Sequence, residues 1–488
     1  MRIIRSLILK CRRSTRNSRR SGCLNNKFWR RKSVFIISSI IIFIIACFNI
    51  ISAVHPRSIS KPNVILITID ALRPDHLGCY GYKRATSPNI DSLAKEGVIF
   101  MQSISQASVT CVSLPSLFTS VYPTRLGIVD QAEDIKKEFR SPCFTEVLKG
   151  KNYRTAVFLP DRATIMVPEW TKKGADLRLI YRNSDGKSDY PLLTRQVTNW
   201  IAKDLKRSFF LWIHYRGVHT PYRPPAPYNS LFVHDKFYDG RKKAPLVDNP
   251  GGWGGIMPKV NLNNIRETDY YISHYDGALK YVDYWVGELV SFLKQRGIYE
   301  DTIVIISADH GEAFGEHNLY FEHGNTLYDE LLRVPLIIKF AKGEFRGKRL
   351  LMQVRSIDIM PTIMEYLQFE SPRGTDGESL LALIENKETS GKTIFSFSKT
   401  GLINAVRSAD WKLISYDDKP AQYELYNLKE DPGELHNVYA KNAGIAKRLT
   451  YELGKHKSEF SRASLKRGED NSEMMEVRRI LHSLGYLQ

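Results

Sequence analysis

Three apolar segments rich in β-branched residues constrain the fold of this chain more than any other feature of its sequence. They span residues 63–70 (NVILITID), 208–214 (SFFLWIH) and 302–310 (TIVIISADH), and each ends in an acid or a histidine. Continuous apolar runs of this length are typical of strands buried on both faces of a parallel sheet. Helical patterns such as 194–206 and 270–296 lie between them, so the sequence predicts an α/β fold with a doubly wound, mostly parallel sheet. Ligands bind at the carboxyl ends of such strands, where the three polar endings lie.

The chain is long enough, at 488 residues, for a large α/β domain and a small companion. We assign residues 62–390 to the large domain, in which the Pro- and Gly-rich stretch 222–259 is expected to form a surface insertion near the mouth of the site. From about residue 393 short apolar pieces replace the long ones. Residues 391–488 are therefore expected to form a small antiparallel α+β subdomain that ends in a helical tail.

The first 54 residues differ in character from the rest. Residues 1–33 contain 12 of the basic residues behind the formal net charge of +19, and no acid. Residues 34–54 then run for 21 residues without a charge, which as a helix is enough to cross about 30 Å of hydrocarbon. The basic flank of such a span stays in the cytoplasm, so we expect a single-pass signal anchor with an extracytoplasmic catalytic domain. A signal peptide cleaved near Ser52 and Ala53 is the alternative, and because the basic excess adjoins this span we expect no nucleic-acid partner.

Five blocks of sequence carry a resemblance to one family. They are the segment 63–100, HTPY at 219–222, SADHGEAFGEH at 307–317, HGNTLYDELLRVPLII at 323–338, and DWKLI with ELYNLKEDPGELHN near the C-terminus. In these blocks, which follow the family's order from about residue 62 to 440, the chain resembles the sulfatases of the alkaline phosphatase superfamily. The resemblance implies an alkaline phosphatase-like fold, a bound divalent metal ion and the cleavage of sulfate or phosphate esters.

Asp70 and the pair Asp309 and His310 are the candidate metal ligands. They supply hard carboxylate oxygens and a borderline imidazole nitrogen, a set that suits one Ca²⁺, Mg²⁺, Mn²⁺ or Zn²⁺ ion. An acid at a strand end is on its own more often a helix cap, so the assignment depends on the family blocks around these residues. Many sulfatases carry two adjacent acids after the first strand, whereas here Ala71 follows Asp70 and the second acid is missing.

The nucleophile position departs from the pattern of the familiar sulfatases. Those enzymes carry Cys-x-Pro-Ser-Arg, or a Ser variant, at a fixed distance before a Thr-Gly pair, and the Cys or Ser is oxidised to formylglycine. At that distance, nine residues before Thr119, this chain has Thr110, and neither the Pro nor the Arg of the motif is present. A shifted register would select Ser113 instead, and Cys111 is a third and weaker candidate.

A threonine cannot be converted to formylglycine, so no formylglycine is expected if Thr110 is the nucleophile. An unmodified hydroxyl would instead bind the metal, which lowers its pKa, at the N-terminus of a helix that stabilises negative charge. Asp70, Thr110, Asp309 and His310 also resemble the acid-Thr-Asp-His sets of lipoteichoic acid synthases and phosphoethanolamine transferases. This second resemblance favours a phosphate ester over a sulfate ester.

His219, within HTPY, and His323 are the candidates for contacting the ester and protonating its leaving oxygen. Four further residues are expected to support the site without binding the metal: Arg73, Ser113, His214 and His317. The sequence thus predicts a double displacement in which Thr110 attacks the sulfate or phosphate ester and water releases the intermediate. Two alternatives stay open: a transferase, in which a lipid head group or envelope polymer replaces water, and an inactive binding protein on the same fold.

Overall fold

The computed structural model describes residues 61–128, 141–160, 174–181, 183–184, 187–249, 251–388, 391–398, 400–417 and 422–461. The predicted cytoplasmic tail 1–33 and signal anchor 34–54 lie outside these residues. Within the described ranges, none of the helices combines the length and the apolar character that crossing a membrane requires.

Strands and helices alternate along most of the described chain. The strands are β1 (Asn63–Ile69), β2 (Val98–Ile104), β3 (Arg154–Pro160), β4 (Leu177–Tyr181), β5 (Asn183–Ser184), β6 (Lys187–Ser188), β7 (Phe209–Tyr215), β8 (Thr302–Ser307), β9 (Arg333–Lys339), β10 (Lys348–Arg355), β11 (Ile394–Phe397), β12 (Ile403–Arg407), β13 (Trp411–Tyr416) and β14 (Gln422–Asn427). The helices are α1 (Pro88–Lys95), α2 (Thr110–Thr119), α3 (Pro123–Leu126), α4 (Phe144–Gly150), α5 (Tyr190–Ala202), α6 (Thr268–Gln295), α7 (Asp329–Leu332), α8 (Ile359–Tyr366), α9 (Leu381–Ile384) and α10 (Ala443–Ser461).

The large sheet has eight strands in the order β10-β2-β9-β8-β1-β7-β3-β4. Every neighbouring pair is parallel except the two pairs that include β9, which runs antiparallel to both β8 and β2. The predicted doubly wound, mostly parallel α/β sheet is therefore confirmed. The three apolar segments of the sequence are its central strands β8, β1 and β7, so their carboxyl ends lie side by side.

These central strands are apolar throughout because each face of the sheet is covered. In β1, Ile65 and Ile67 belong to one hydrophobic cluster, whereas Val64 and Leu66 belong to a second cluster on the other face. The long helix α6 contributes to the first cluster, and helices α2 and α8 contribute to the second. A strand with two buried faces has no solvent side on which a polar residue is tolerated, so its polar residues collect at its end.

A four-stranded antiparallel sheet, in the order β11-β12-β13-β14, forms the C-terminal part, which confirms the predicted antiparallel subdomain in its architecture. Helix α10 packs on this sheet through Leu449 and Leu453. The sheet also touches the large domain directly, because the amide of Phe397 donates to the carbonyl of Gln106 at 3.0 Å. The segment that leads from β2 into α2 is thus braced by the C-terminal sheet.

Candidate active site

Four polar side chains converge at the carboxyl ends of the three central strands. Asp70 follows β1, Asp309 and His310 follow β8, and His214 lies near the end of β7, where its backbone pairs with Thr68 of β1. All four are buried, with at most 6% of any of them exposed. The amide of Ala71 donates to Oδ1 of Asp309 at 3.3 Å and ties the ends of β1 and β8 together.

The distances within this cluster are those of side chains that point at a common centre. Nε2 of His310 lies 3.6 Å from Oδ1 of Asp70 and 3.4 Å from Oδ2 of Asp309. Nε2 of His214 lies 3.9 Å from the other oxygen of Asp70. Asp70, His214 and Asp309 each present one ligand atom, and these three atoms lie within 4.8 Å of one another.

A cation fits this cluster, because the atoms that converge there lack donors. In the described part of the chain, Oδ1 of Asp70, Oδ2 of Asp309 and Nε2 of His214 are buried without a hydrogen-bond partner. Buried polar atoms are costly to leave unmatched, and a divalent cation would satisfy all three together. Burial and then the neighbouring Asp309 raise the pKa of Asp70 well above its ordinary value. That carboxyl therefore ionises readily only when positive charge is placed beside it.

His214 occupies a different place from the one predicted. The sequence interpretation put it behind the ligands, whereas in the structure its Nε2 faces Asp70 and belongs to the candidate ligand set. Its other nitrogen lies 2.8 Å from the hydroxyl of Thr68, which also accepts a hydrogen bond from the indole of Trp212 at 2.9 Å. These contacts fix the ring so that Nε2 points at the carboxylates, as is usual for metal-binding histidines.

Thr110 is the first residue of helix α2, as the register counted from Thr119 requires. Its hydroxyl oxygen lies 3.1 Å from Nε2 of His310. The residue as a whole is buried, with 2% of its surface exposed. Since Nδ1 of His310 donates to the carbonyl of Gly311 at 2.8 Å, Nε2 is the acceptor of the threonine hydroxyl. The structure thus brings Thr110 into the cluster formed by Asp70, Asp309 and His310.

The two alternative nucleophiles lie in other surroundings. The hydroxyl of Ser113 lies one helical turn further along α2 and is directed at the carbonyl of Thr110, 3.5 Å away. Cys111 belongs to an apolar cluster that includes Val109, Val112 and Leu126. An apolar environment disfavours the thiolate that a nucleophilic cysteine requires.

His219 and His323 face each other across the opening of the cluster, with ring centroids 5.0 Å apart. The ring of His323 also lies 4.2 Å from that of His310, so both predicted histidines border the site. Nδ1 of His219 donates to the carbonyl of Thr220 at 2.7 Å, and Nδ1 of His323 lies 3.0 Å from a carboxylate oxygen of Glu312. Each ring therefore keeps its Nε2 for a substrate.

The surroundings of these two histidines push their pKa values apart. Burial, together with the nearby His323, holds the pKa of His219 well below its usual range. Burial acts in the same direction on His323, but the carboxylate of Glu312 outweighs it and raises the pKa of that ring. Groups whose pKa values diverge in this way are suited to different roles, with His323 the better proton donor and His219 a neutral ring.

Arg73 and His317 hold the loop that follows β8 rather than the metal ligands. The guanidinium of Arg73 pairs with Asp75 at 2.7 Å and with Glu316 at 2.6 Å, and donates to the carbonyl of Glu312 at 3.0 Å. The ring of His317 stacks on Tyr328 with centroids 3.5 Å apart. Neither residue belongs to the candidate ligand set formed by Asp70, His214 and Asp309.

Glu312 and Arg216 border the site but were not singled out in the sequence. Glu312 is completely buried, and its two carboxylate oxygens contact His323 and the hydroxyl of Tyr222, 3.0 Å away in each case. Its place in SADHGEAFGEH, two residues after His310, was the available signal. Arg216 follows β7 directly and carried no motif signal of its own.

The chain was compared with family models, curated proteins and solved structures. Residues 62–369 match the model of the family described as Sulfatase, and residues 315–459 match the C-terminal model of N-sulphoglucosamine sulphohydrolase. An N-acetylglucosamine-6-O-sulfatase of Bacteroides thetaiotaomicron is 21% identical over 81% of this chain and 86% of its own length. The uncharacterized sulfatase YidJ of Escherichia coli is 27% identical over 78% of this chain and 83% of its own length.

Solved structures show the same fold. A structure of an enzyme with its substrate D-glucosamine-2-N,6-O-disulfate has a TM-score of 0.70 at 19% identity, and covers 84% of this chain and 100% of that one. The phosphonate monoester hydrolase of Agrobacterium radiobacter has a TM-score of 0.67 at 18% identity, and covers 82% of this chain and 96% of that one. Because the Sulfatase model matches more than half of the chain, the protein belongs to the sulfatase family of ester hydrolases, within the alkaline phosphatase superfamily.

Proposed function

We propose that this chain is a metal-dependent hydrolase of sulfate or phosphate esters that uses the hydroxyl of Thr110 as its nucleophile. The observation that carries the proposal is the position of that hydroxyl. It lies at the N-terminus of α2, 3.1 Å from Nε2 of His310, beside carboxylate oxygens of Asp70 and Asp309 that have no partner among the described residues. A hydroxyl in that place can be ionised and aimed at a tetrahedral ester.

Asp70, Asp309 and His214 would hold the divalent ion, and Nε2 of His310 would stay outside the ligand set as the acceptor of the Thr110 proton. An ion bound there would lower the pKa of the Thr110 hydroxyl and offset the charge of the ester oxygens. The amides at the start of α2 add a second source of positive potential for the same oxygens. A Cys or Ser that is oxidised to formylglycine has no counterpart at Thr110, so the intermediate is an ester of the threonine itself.

The reaction then follows from the placement of the side chains. The threonine oxygen forms a bond to sulfur or phosphorus, its proton passes toward Nε2 of His310, and the bond to the leaving oxygen breaks. Nε2 of His323, whose pKa is raised by Glu312 against the effect of burial, donates the proton that the leaving alcohol needs. Neutral His219 supplies a hydrogen bond on the same side. Water then attacks the sulfur or phosphorus of the threonine ester and gives a proton to His323. The threonine oxygen leaves with the proton held by His310, so sulfate or phosphate is released and both histidines return to their starting forms.

The choice between sulfate and phosphate rests on Thr110. Hydroxyl nucleophiles without formylglycine are typical of the phosphoryl-transferring members of the superfamily that the acid-Thr-Asp-His set resembles. Besides sulfatases, the relatives include a multifunctional alkaline phosphatase superfamily protein of Trinickia caryophylli, which is 26% identical over 51% of this chain. We therefore rank a phosphate ester first and a sulfate ester second.

The test is the turnover of the full-length chain on an aryl sulfate, an aryl phosphate monoester and an aryl phosphodiester, with metal content measured alongside. We expect metal-dependent turnover of a phosphoester that falls by roughly a thousandfold or more in Thr110→Ala. Ser113→Ala is the matched control, because Ser113 lies on the same helix and is 3% exposed. Sulfate turnover that is lost only in Ser113→Ala would show that the nucleophile is the serine, and bound metal without turnover would favour an acceptor-requiring transferase.

We further propose that residues 34–54 anchor the chain in a membrane with its catalytic domain outside the cytoplasm. The support is the 21-residue stretch without charge and the 12 basic residues that precede it. Alkaline carbonate extraction and protease treatment of intact cells test both parts. A chain released by carbonate, or an enzyme degraded only after cell lysis, would contradict the anchor or its orientation respectively.

A further inference from the structure

Arg216 differs from most other buried arginines of the described chain. Four of the others each pair with at least one carboxylate: Arg73, Arg84, Arg355 and Arg407. Another, Arg154, donates to two backbone carbonyls and stacks on Trp200. Arg216 is only 9% exposed, yet among the described residues no carboxylate lies within ion-pair distance of it, and the hydrogen bond from its guanidinium to the carbonyl of Thr220 is long at 3.3 Å.

A buried guanidinium without a counter-ion is expensive, because its charge is removed from water and little replaces the water. Proteins accept that cost where an anion arrives from outside. Guanidinium groups match the planar geometry of carboxylates and the oxygens of sulfate and phosphate, which makes arginine the usual residue for such ligands. Arg216 acts on the carboxylate of Asp70 only from beyond ion-pair distance, so its guanidinium keeps donors available for an incoming oxyanion.

Arg216 opens onto a small cleft that adjoins the site. His219 and Arg223 line the same cleft, and none of its lining residues in the described chain is acidic. The opposite side is formed by Tyr281, whose ring stacks on that of Tyr190 with centroids 5.2 Å apart. The exposed Arg223 lies at its outer part. The cleft thus combines two cations with an aromatic wall that suits a ring.

We propose that this cleft binds a second oxyanion, carried by the alcohol that leaves, and that Arg216 with Arg223 makes the enzyme selective for anionic alcohols. The inference rests on the proposed function, in which His219 lies on the side of the leaving oxygen. A group bound beyond His219 belongs to the leaving alcohol rather than to the transferred sulfate or phosphate. Its charge is a carboxylate, sulfate or phosphate that the reaction leaves unchanged.

The test uses matched aryl esters whose leaving alcohols are hydroxybenzoic acid or its neutral isostere hydroxybenzamide, in both meta and para forms. The full-length enzyme is assayed for kcat and KM separately, and the four free alcohols are titrated calorimetrically without turnover. We expect the carboxylate esters to have a KM lower by roughly tenfold, the effect of a charge-assisted hydrogen bond. That preference should vanish in Arg216→Gln and weaken in Arg223→Gln.

Two controls separate selectivity from folding. Arg195→Gln changes an exposed arginine of α5 and should keep the preference. Arg223 is exposed, so Arg223→Gln reports on the cleft even where Arg216→Gln fails to fold.

Each outcome decides a different point. Equal KM values for the acid and amide esters in the wild type, or a preference that survives both cleft variants, would overturn the subsite and leave the proposed function standing. If Arg216→Gln lowers kcat on both esters and leaves the preference for the carboxylate ester unchanged, Arg216 acts on the transferred group. That outcome would also overturn the subsite. Selective binding of the free hydroxybenzoates without turnover of any ester would support the subsite and count against the proposed function.

Discussion

Ala71 and His214 mark a difference between this candidate metal site and that of many sulfatases. Ala71 stands where many sulfatases have a second acid, and its backbone adopts the left-handed conformation with a φ of 58°. The neighbouring strand β7 instead contributes His214, whose Nε2 lies 3.9 Å from Asp70. A neutral imidazole in place of a carboxylate lowers the negative charge of the set by one and gives it a borderline nitrogen donor. Such a set favours Zn²⁺ more than one built from oxygens alone.

The first prediction concerns this metal preference. We expect His214→Ser to weaken the binding of Zn²⁺ by roughly tenfold or more, and that of Ca²⁺, Mg²⁺ or Mn²⁺ by less, because Zn²⁺ depends more on the nitrogen ligand. Metal content after dialysis and calorimetric titration of the metal-free protein would measure it. His436→Ser is the control, since that histidine is mostly exposed and lies in the C-terminal part. An equal loss for all four ions would show that His214 acts only by shaping the pocket.

At the residue scale the sequence identified those side chains whose chemistry comes with a motif. Asp70, Asp309 and His310 stand at the ends of apolar segments, and Thr110 follows from a count of residues. All four could therefore be located without coordinates. The sequence did not place His214 among the ligands, because only the pairing of β7 with β1 brings its Nε2 to Asp70. Arg216 could not be found, since burial without a counter-ion is a property of the folded chain.

At the scale of elements, helix α6 supports the long segment that carries His219. Gly277 lies inside this helix, and a methyl group added there would meet the carbonyl oxygen of Tyr228 at 2.1 Å. The Pro-rich segment before Tyr228 can therefore lie against α6 only where the helix has no side chain. Because Ala278 and Tyr281 of the same helix line the cleft beside His219, the fit of this segment also sets the shape of the cleft.

The second prediction is that Gly277→Ala destabilises the protein by about 1–3 kcal/mol, as overpacking against backbone does, although alanine is ordinarily the better helix former. Gly454→Ala in α10 is the matched control, because nothing lies within 4 Å of the added methyl group. That control should stabilise the protein by roughly 0.5–1 kcal/mol. Thermal and urea unfolding would measure both. A stabilised Gly277→Ala protein would mean that the segment is not held against the helix.

Helix α6 also caps a second element through Asp283. This buried carboxylate accepts hydrogen bonds from the amides of Asn89 and Ile90, in the first turn of α1, at 3.0 and 2.8 Å. Burial nevertheless raises the pKa of Asp283 to about 6, since the hydrogen bonds offset only part of the lost hydration. The ionised form is thus less favourable in the folded than in the unfolded protein.

The third prediction follows from the sign of that shift. Because the folded pKa lies above the unfolded one, the contribution of Asp283 to stability is complete at low pH and is lost as pH rises from about 4 to about 6. In the wild type, the free energy of unfolding should therefore fall by no more than about 2–3 kcal/mol over this range. In Asp283→Asn this fall should be absent. Urea unfolding at several pH values compares it with Glu288→Gln, an exposed acid of the same helix. If the free energy of unfolding depends on pH in the same way in the wild type and in Asp283→Asn, the raised pKa of Asp283 is contradicted.

The elements that the sequence located well are those with a strong local pattern. The two patterns 194–206 and 270–296 correspond to α5 and α6, whose observed bounds are Tyr190–Ala202 and Thr268–Gln295. The antiparallel direction of β9 within the large sheet was not predictable, because a strand buried on both faces has the same composition in either direction.

For the molecule as a whole, the C-terminal sheet is joined to the catalytic part by charge as well as by apolar packing. Lys412 of β13 is completely buried, and its ammonium group lies 2.9 Å from Asp329 of α7 and 2.8 Å from Glu434. Ile414 of the same strand packs in one cluster with Ile104 and Leu332. Since Ile104 ends β2, shortly before Thr110, the C-terminal sheet packs against the strand that leads toward Thr110.

The last prediction tests the ion pairs of Lys412, which join the C-terminal sheet to the catalytic part. Burial alone would lower the pKa of Lys412, but Asp329 and Glu434 outweigh it and raise the pKa, so the residue is a charged partner of both carboxylates. Lys412→Met keeps the length of the side chain and removes the charge, which leaves Glu434 without its cation while Arg407 still pairs with Asp329 at 3.1 Å. We expect a loss of about 3–5 kcal/mol, the usual effect of breaking a buried ion pair, measured by thermal and denaturant unfolding.

Lys447→Met, at an exposed position of α10, controls for the substitution itself. Adding Glu434→Gln to Lys412→Met should recover part of the loss, because the amide needs no counter-ion. Folded Lys412→Met protein should also lose turnover, since the segment between Ile104 and Thr110 is held by the C-terminal sheet and the ion pairs of Lys412 that join this sheet to the catalytic part are absent. Unchanged stability would mean that apolar packing alone joins the two sheets. Lower stability with undiminished turnover would mean that the catalytic part positions Thr110 by itself.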